Sequence, residues 1–318
     1  MHLPDGFLDA KTTLTTGALS IVGLGLALRQ TAQVLPPRRV PLLGLSAAFL
    51  FAAQMVNFPV LGGTSGHLLG GVLVATLLGP SAALVVMAAV LIVQCLLFAD
   101  GGVLALGANF FNMGLVAVLG GYVIYRVVEK WLPGLPGRVT ALAFAGWCST
   151  VLAAVCCAGQ LAWSNTVAWS VALPAMAGIH MLIGLGEGLI GALVLLAIAR
   201  TRPDLIAESA PDTPPIPLRG YVVYGLLVAL GVALFVAPFA CSWPDGLEAV
   251  ATRLGFESKA HEPLVTTPLS NYQLHGLGSP VMTTALAGVI GTALVFGLAV
   301  LFGRMVVRKP HPTNLNQS

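Results

Sequence analysis

Apolar residues fall along this chain in long unbroken blocks rather than in the one-face or alternating patterns of a soluble fold. Residues 81–98 and 139–161 contain no Asp, Glu, Lys or Arg. Each is about the length a helix needs to cross the hydrocarbon of a bilayer. Similar blocks place further spans at 12–28, 42–56, 67–78, 103–127, 174–199, 221–238 and 281–302. The pattern predicts an all-α, polytopic transmembrane bundle of about nine helices: about seven, then a two-helix C-terminal hairpin. The block 67–78 is short for a full crossing.

Composition agrees with the pattern. The 318 residues are 57% hydrophobic and 8% charged, where a soluble domain carries roughly 25% charged residues. The net charge of +3 is too small to suggest nucleic-acid binding. The position of the charges says more than their sum. With the N-terminus outside, Arg29, Arg38, Arg39, Arg126, Lys130, Arg138, Arg200, Arg202, Arg219, Arg304, Arg308 and Lys309 face the cytoplasm. Only Lys11, Arg253 and Lys259 then lie outside, 3 of the 15 basic residues, which fixes the orientation by the positive-inside rule. Asp5 and Asp9 precede the first base, Lys11, unlike the basic start of a cleaved signal peptide. The opening residues are therefore expected to stay in the mature chain.

A shift in composition divides the chain. The segment from 201 to 219 holds Pro203, Pro211, Pro214, Pro215 and Pro217 and reads as a cytoplasmic linker. It separates residues 1–200 from a hairpin at 220–304 with a polar outer loop at 241–280, and 305–318 form a basic, then polar, cytoplasmic tail. Cys95, Cys148, Cys156 and Cys157 lie within spans and Cys241 at the outer edge, which does not read as a disulfide framework. No phosphate-binding loop, H-E-x-x-H or G-x-S-x-G sequence occurs. The chain is not expected to be an enzyme, and ATP-driven transport would need an ATPase on another subunit.

Candidate chemistry gathers at the outer side. His2 follows a terminal amine, and amine, His2 backbone nitrogen and imidazole can close two fused chelate rings on one metal. Such nitrogen-rich planar coordination suits Ni(II) or Cu(II). His67, in "GGTSGHLLGG", sits at an outer mouth where glycines allow close backbone approach and can add a fourth nitrogen; alone it reads sooner as a helix-capping or interfacial histidine than as a ligand, and His2 on the same face makes the joint reading more attractive. His180 and Glu187 are seven residues apart, on one helix face, and read either as a pathway pair or as interhelical hydrogen bonds. Asp5, Gln54, Asn57, Gln94, Asn109 and Asn112 are polar groups available as a supporting shell or as glue between helices. In the outer loop, Pro244-Asp245-Gly246 is a turn signal echoing Pro4-Asp5-Gly6. His261 and His275 have no diagnostic spacing.

Four motifs in order, "MHLPDGFL" at the start, "VNFPVLGGTSGHLLGG" at 56–71, "GANFFNMG" at 107–114 and "HMLIGLGEGLI" at 180–190, resemble the CbiM/NikM family. These are the nickel/cobalt-capturing membrane components of energy-coupling-factor transporters. The region from about 220 resembles their small accessory component, whose signature is present as Pro244, Asp245, Gly246, Leu247 and Glu248. The resemblance implies a metal-binding seven-helix component whose N-terminus is buried in the bundle. It implies one divalent metal, the transported substrate rather than a cofactor, held through Met1, His2 and His67. A transmembrane coupling protein and cytoplasmic ATPases in the inner membrane are the implied partners, and the accessory loop is expected to assist metal loading. Ni(II) is favoured over Co(II), because the "PDG" after His2 and the fused accessory unit look like the nickel branch. Two other readings stay open: a stand-alone secondary transporter with His180 and Glu187 on its ion path, and an intramembrane metalloenzyme using His67, His180 and Glu187.

Overall fold

The structure, a computed structural model, describes residues 1–206, 218–265, 267, 269–274 and 278–307. The core of the proline-rich linker, His275 and the tail from 308 lie outside the described residues.

Helix α1 (Ala10–Val34) starts at Asp9, whose carboxylate caps it by accepting from the Thr12 N–H at 2.8 Å. Helix α2 (Val40–Gln54) carries Pro41 in its first turn, where a missing N–H costs nothing. The chain then forms a small antiparallel hairpin, β1 (Phe58–Val60) with β2 (Thr64–Gly66). After it come α3 (Gly71–Leu78) and α4 (Pro80–Phe98), joined by Gly79 at a φ of 89° that favours glycine. Helix α5 (Leu106–Trp131) winds as a π-helix over Phe110–Gly120, an arrangement found mostly at functional positions. Next come α6 (Gly134–Trp163), α7 (Trp169–Thr201), α8 (Leu218–Phe235), α9 (Gly246–Leu254) and α10 (Pro280–Val306).

Among the described residues seven of these helices are long and apolar enough to cross a membrane: α1, α4, α5, α6, α7, α8 with its short extension, and α10. The chain is a multi-pass membrane protein. Two of the nine expected crossings fall short of the length a full crossing needs. Helix α2 has 15 residues, about 22 Å at the helical rise, and is buried on most sides, as an all-round apolar helix should be. The block 67–78 is helical only from Gly71. Its first residues stay extended because their backbone groups bond to side chains, the Leu69 and Gly70 N–H groups to Glu187 and the Leu69 carbonyl to Gln54, instead of to a helix of their own.

Helix α4 is the central element, with Met87, Leu91 and Phe98 sealed against Phe51 of α2 and Met113 of α5. Helices α6 and α7 pack backbone to backbone: a Cβ on Gly188 would fall 2.4 Å from the Ala143 carbonyl. The C-terminal unit leans on the same core. Helices α8 and α10 pack on α2, and Gly291 of α10 lies against the Phe51 ring. Its outer loop holds α9, which lies across β2 and α7.

Candidate metal centre

Residues 1–9 enter the bundle as a segment that is extended over 1–4 and turns at Asp5–Gly6. Met1, Leu3, Asp5 and Phe7 are buried in alternation with more exposed neighbours, the two-residue period of an extended chain. What holds such a segment inside a helical bundle is a set of side chains that stand in for a neighbouring strand. Asn109, at the start of the π-helical turn, accepts from the Leu3 N–H at 2.7 Å and donates to the Leu3 carbonyl at 3.0 Å. The Asp5 carboxylate accepts from the N–H groups of Val103 and Ala105 at 3.1 and 3.0 Å. Gly102 also donates to the Leu3 carbonyl at 2.9 Å, and a Cβ there would meet Asp5 Oδ1 at 2.0 Å. These bonds satisfy a buried backbone that would otherwise be costly, and they deliver the terminus to a fixed point.

At that point the terminal amine nitrogen lies 3.1 Å from His67 Nε2. The His2 ring stacks on the His67 ring with centroids 5.5 Å apart. Burial, and then the neighbouring terminal ammonium and His2, push the His67 imidazole well below its ordinary range, so this ring is neutral and has a lone pair to offer. His67 Nδ1 is taken by the Leu68 carbonyl at 3.2 Å, which directs that lone pair to Nε2 and the amine. His2 is set by a relay of amides. Gln54 donates to the Leu69 carbonyl at 3.1 Å, Gln94 donates to Gln54 at 2.8 Å, and the remaining Gln94 oxygen accepts from His2 Nε2 at 3.1 Å. The relay gives His2 Nε2 an acceptor, and with a proton held there Nδ1 is the nitrogen that can chelate together with the amine once metal replaces the Asp100 contact. Asp100 Oδ1 lies 3.1 Å from that Nδ1, and the other oxygen of the same carboxylate, Oδ2, accepts from the Tyr272 hydroxyl at 2.5 Å.

The strand that carries His67 is held from behind. Glu187 of α7 accepts from the N–H groups of Leu69 and Gly70 at 2.5 and 2.8 Å. Glu187 is thus bonded to backbone rather than to His180, its partner in the sequence pattern. His180 Nδ1 lies 2.8 Å from the Met176 carbonyl one turn back. Its Nε2 has no hydrogen-bond partner among the described residues. The ring faces a cavity of ≈ 10 Å³ shared with Met1, His67, Asp245 and Gly246, about the room one water needs.

Asp245 reaches the same cluster from the C-terminal unit. Its Oδ2 is 2.7 Å from the terminal amine. Burial works against both charges, but their pairing outweighs it, raising the amine above its ordinary pKa and holding the carboxylate below its own. His2, His67 and Asp245 each offer a ligand atom within 4.8 Å of the others. The pentapeptide that supplies Asp245 explains itself residue by residue. The Pro244 carbonyl accepts from the Ser65 N–H at 2.8 Å, and the Trp243 carbonyl from the Ser65 hydroxyl at 2.7 Å. Asp245 and Glu248 form a reciprocal capping box at the start of α9. Gly246 is pressed so close to His180 that a Cβ would fall 2.7 Å from its Cε1, and Leu247 is core.

Other residues singled out in the sequence lie apart from the cluster. Asn112 pairs reciprocally with Gln160 of α6 at 2.8 Å, and the Asn57 carbonyl accepts from the Cys241 N–H at 2.9 Å. Asp100, Ser65 and Tyr272 are the contributors that sequence reasoning missed. The turn reading of 244–246 likewise missed a helix N-cap, although the Asp-x-x-Glu spacing is a capping signature.

With this geometry in view, the chain's kinship is plain. Residues 2–205 match the family described as the cobalt uptake substrate-specific transmembrane region, and the chain belongs to that family. Residues 219–308 match the PDGLE domain. A relative from Archaeoglobus fulgidus, described as a fused nickel transport protein NikMN, is 39% identical over 96% of this chain and 98% of its own length. The fused nickel transport protein NikMN of Rhodobacter capsulatus is 33% identical over 72% of this chain and 71% of its own. The cobalt transport protein CbiM of Kyrpidia tusciae is 38% identical over 48% of this chain and 62% of its own. Among solved structures, a truncated transition metal transporter is 34% identical with a TM-score of 0.58, over 63% of this chain and 99% of that one.

Proposed function

We propose that this chain captures a divalent transition metal, Ni(II) before Co(II), at its outer side. It would do so as the substrate-specific membrane component of an ATP-driven energy-coupling-factor importer of the cytoplasmic membrane. The ligands are the Met1 amine, the His2 nitrogens and His67, with Asp5, Asn109, Gln54, Gln94 and Glu187 as their supports. The observation that carries this reading is the buried terminal amine 3.1 Å from His67 Nε2 with His2 stacked alongside. The metal is cargo, not cofactor. Nickel is supported by the donor set, since nitrogen-rich planar sites suit Ni(II). It is also supported by the fused architecture, which this chain shares over 96% of its length with a relative named for nickel. Residues 1–200 act as the metal-binding component, 201–219 as the linker, 220–304 as the accessory hairpin that assists loading, and 305–318 as the tail.

Vesicle transport separates this from a stand-alone carrier. Vesicles holding the chain alone are expected to bind Ni(II) in proportion to protein and accumulate none against a gradient. Accumulation is expected only with the coupling protein, its ATPases and ATP. Uphill uptake by the chain alone would contradict the proposal and bring forward a secondary transporter.

A further inference from the structure

The Asp245 carboxylate is divided between two tasks. Oδ1 accepts from the N–H groups of Leu247 and Glu248 at 2.7 and 2.9 Å, which fixes the side chain as the cap of α9. Oδ2 is left over and points at the terminal amine, 2.7 Å away. The turn that carries it is bonded to the strand that carries His67, through Ser65 to the 243 and 244 carbonyls and through the Thr64 hydroxyl to the 244 carbonyl at 3.0 Å. Asp245 and His67 are therefore parts of one local framework, although they come from opposite ends of the chain.

The spacings have a chemical reading. Donors at about 2.0 Å from one first-row metal ion, and at right angles to each other, lie about 2.9 Å apart. The amine-to-His67 and amine-to-Asp245 distances of 3.1 and 2.7 Å bracket that edge. Charge points the same way. The Asp245 side chain is 16% exposed and is partnered by the terminal ammonium, and a buried carboxylate that loses its cation is strongly disfavoured. An amine binds metal as the free base, so in the loaded site the ammonium charge is gone and a dication stands in its place. Oδ2, 2.7 Å from the amine nitrogen, is within reach of an ion bound to that nitrogen.

We infer that Asp245 Oδ2 is a ligand of the bound metal, an oxygen that the PDGLE unit adds to a site otherwise built from the first unit. This rests on the ligand set of the proposed function. It makes the loaded site a nitrogen plane with an added oxygen, a tetragonal N,O arrangement that also suits Ni(II). It further explains why Pro244 to Glu248 are built to aim one carboxylate oxygen rather than to offer a loose acidic loop.

Nickel-edge X-ray absorption and magnetic susceptibility of the full-length, Ni(II)-loaded protein test the assignment, with Asp245→Asn and Asp245→Ser as variants. Both replacements can cap α9, and a thermal melt reports on their folding. The wild type is expected to show five light donors and paramagnetic Ni(II). Both variants are expected to show four-donor, planar, diamagnetic Ni(II), bound one to one and about tenfold more weakly. Planar, diamagnetic nickel in the wild type, or a five-donor spectrum unchanged in folded variants, would overturn the assignment. Failure of the underlying reading looks different: nickel would then bind equally well to a chain extended before Met1.

Discussion

The N-terminal strand and the PDGLE turn meet at one cluster, yet they are held there by different means. The strand is gripped by groups on helices and their connecting loop: Asn109, Asp5 with the 103–105 backbone, and Gly102. The turn is fixed by bonds to one short buried strand, at 64–65, and by its own capping box. One is woven into the core that includes α4 and α5, the other laid over it. The difference leads us to expect that the capacity to bind metal rests mainly on the first unit, which supplies the amine, His2 and His67, with Asp245, the 243–244 carbonyls and Tyr272 bracing them from the second. On that reading the second unit modifies a site whose nitrogen ligands all come from the first.

Substitutions can break that comparison from its strongest side downward. Loss of a ligand should have the largest effect: His67→Ala or His2→Ala is expected to weaken Ni(II) binding more than about 100-fold, read by titration of folded protein. Next comes the grip on the strand. Asn109→Leu leaves the Leu3 N–H unpaired, at a cost of about 1–3 kcal/mol, while the Leu3 carbonyl keeps only its bond from Gly102. Thermal stability should fall and affinity should drop about 10- to 100-fold, whereas unchanged affinity would mean that the terminus is positioned by something else. Glu187→Gln keeps one acceptor for Leu69 and Gly70, so about a tenfold loss of affinity is expected with the fold intact; transport lost at normal affinity would instead place Glu187 on an ion path. The second unit should matter least to equilibrium binding. Glu248→Ala removes half of the capping box, about 1 kcal/mol of α9 stability. It should slow Ni(II) uptake severalfold while leaving affinity within about threefold. A collapse of affinity in that variant would erase the division between the two units.

Much of this was legible in the sequence because it is local or compositional. Apolar blocks marked the long helices, and histidines so few in number drew attention to the second residue and to the glycine-rich segment. What escaped notice was pairing with backbone. Glu187 could be seen as an acid inside a span, but its partners are the N–H groups of Leu69 and Gly70, and every non-proline residue has such a group. The same holds for Asn109 and Asp5, whose partners leave no mark in residue type. Asp100 looked like part of an ordinary turn, and only the fold brings it beside His2. The span expected at 67–78 was half wrong for a related reason. Its apolar composition fits a helix, but residues 64–70 satisfy their backbone across the bundle.

The most direct test concerns the terminal amine. Ni(II) titration of the purified protein with its native start should be set beside a form extended by several residues before Met1. A one-residue extension would mislead, because it would place histidine third from a free amine, itself a good chelating arrangement. The account predicts stoichiometric, tight binding for the native start and its loss in the extended form, with both forms equally folded. Equal binding by the two forms would contradict it and would move the metal away from Met1, toward His180, Asp245 and the outer loop.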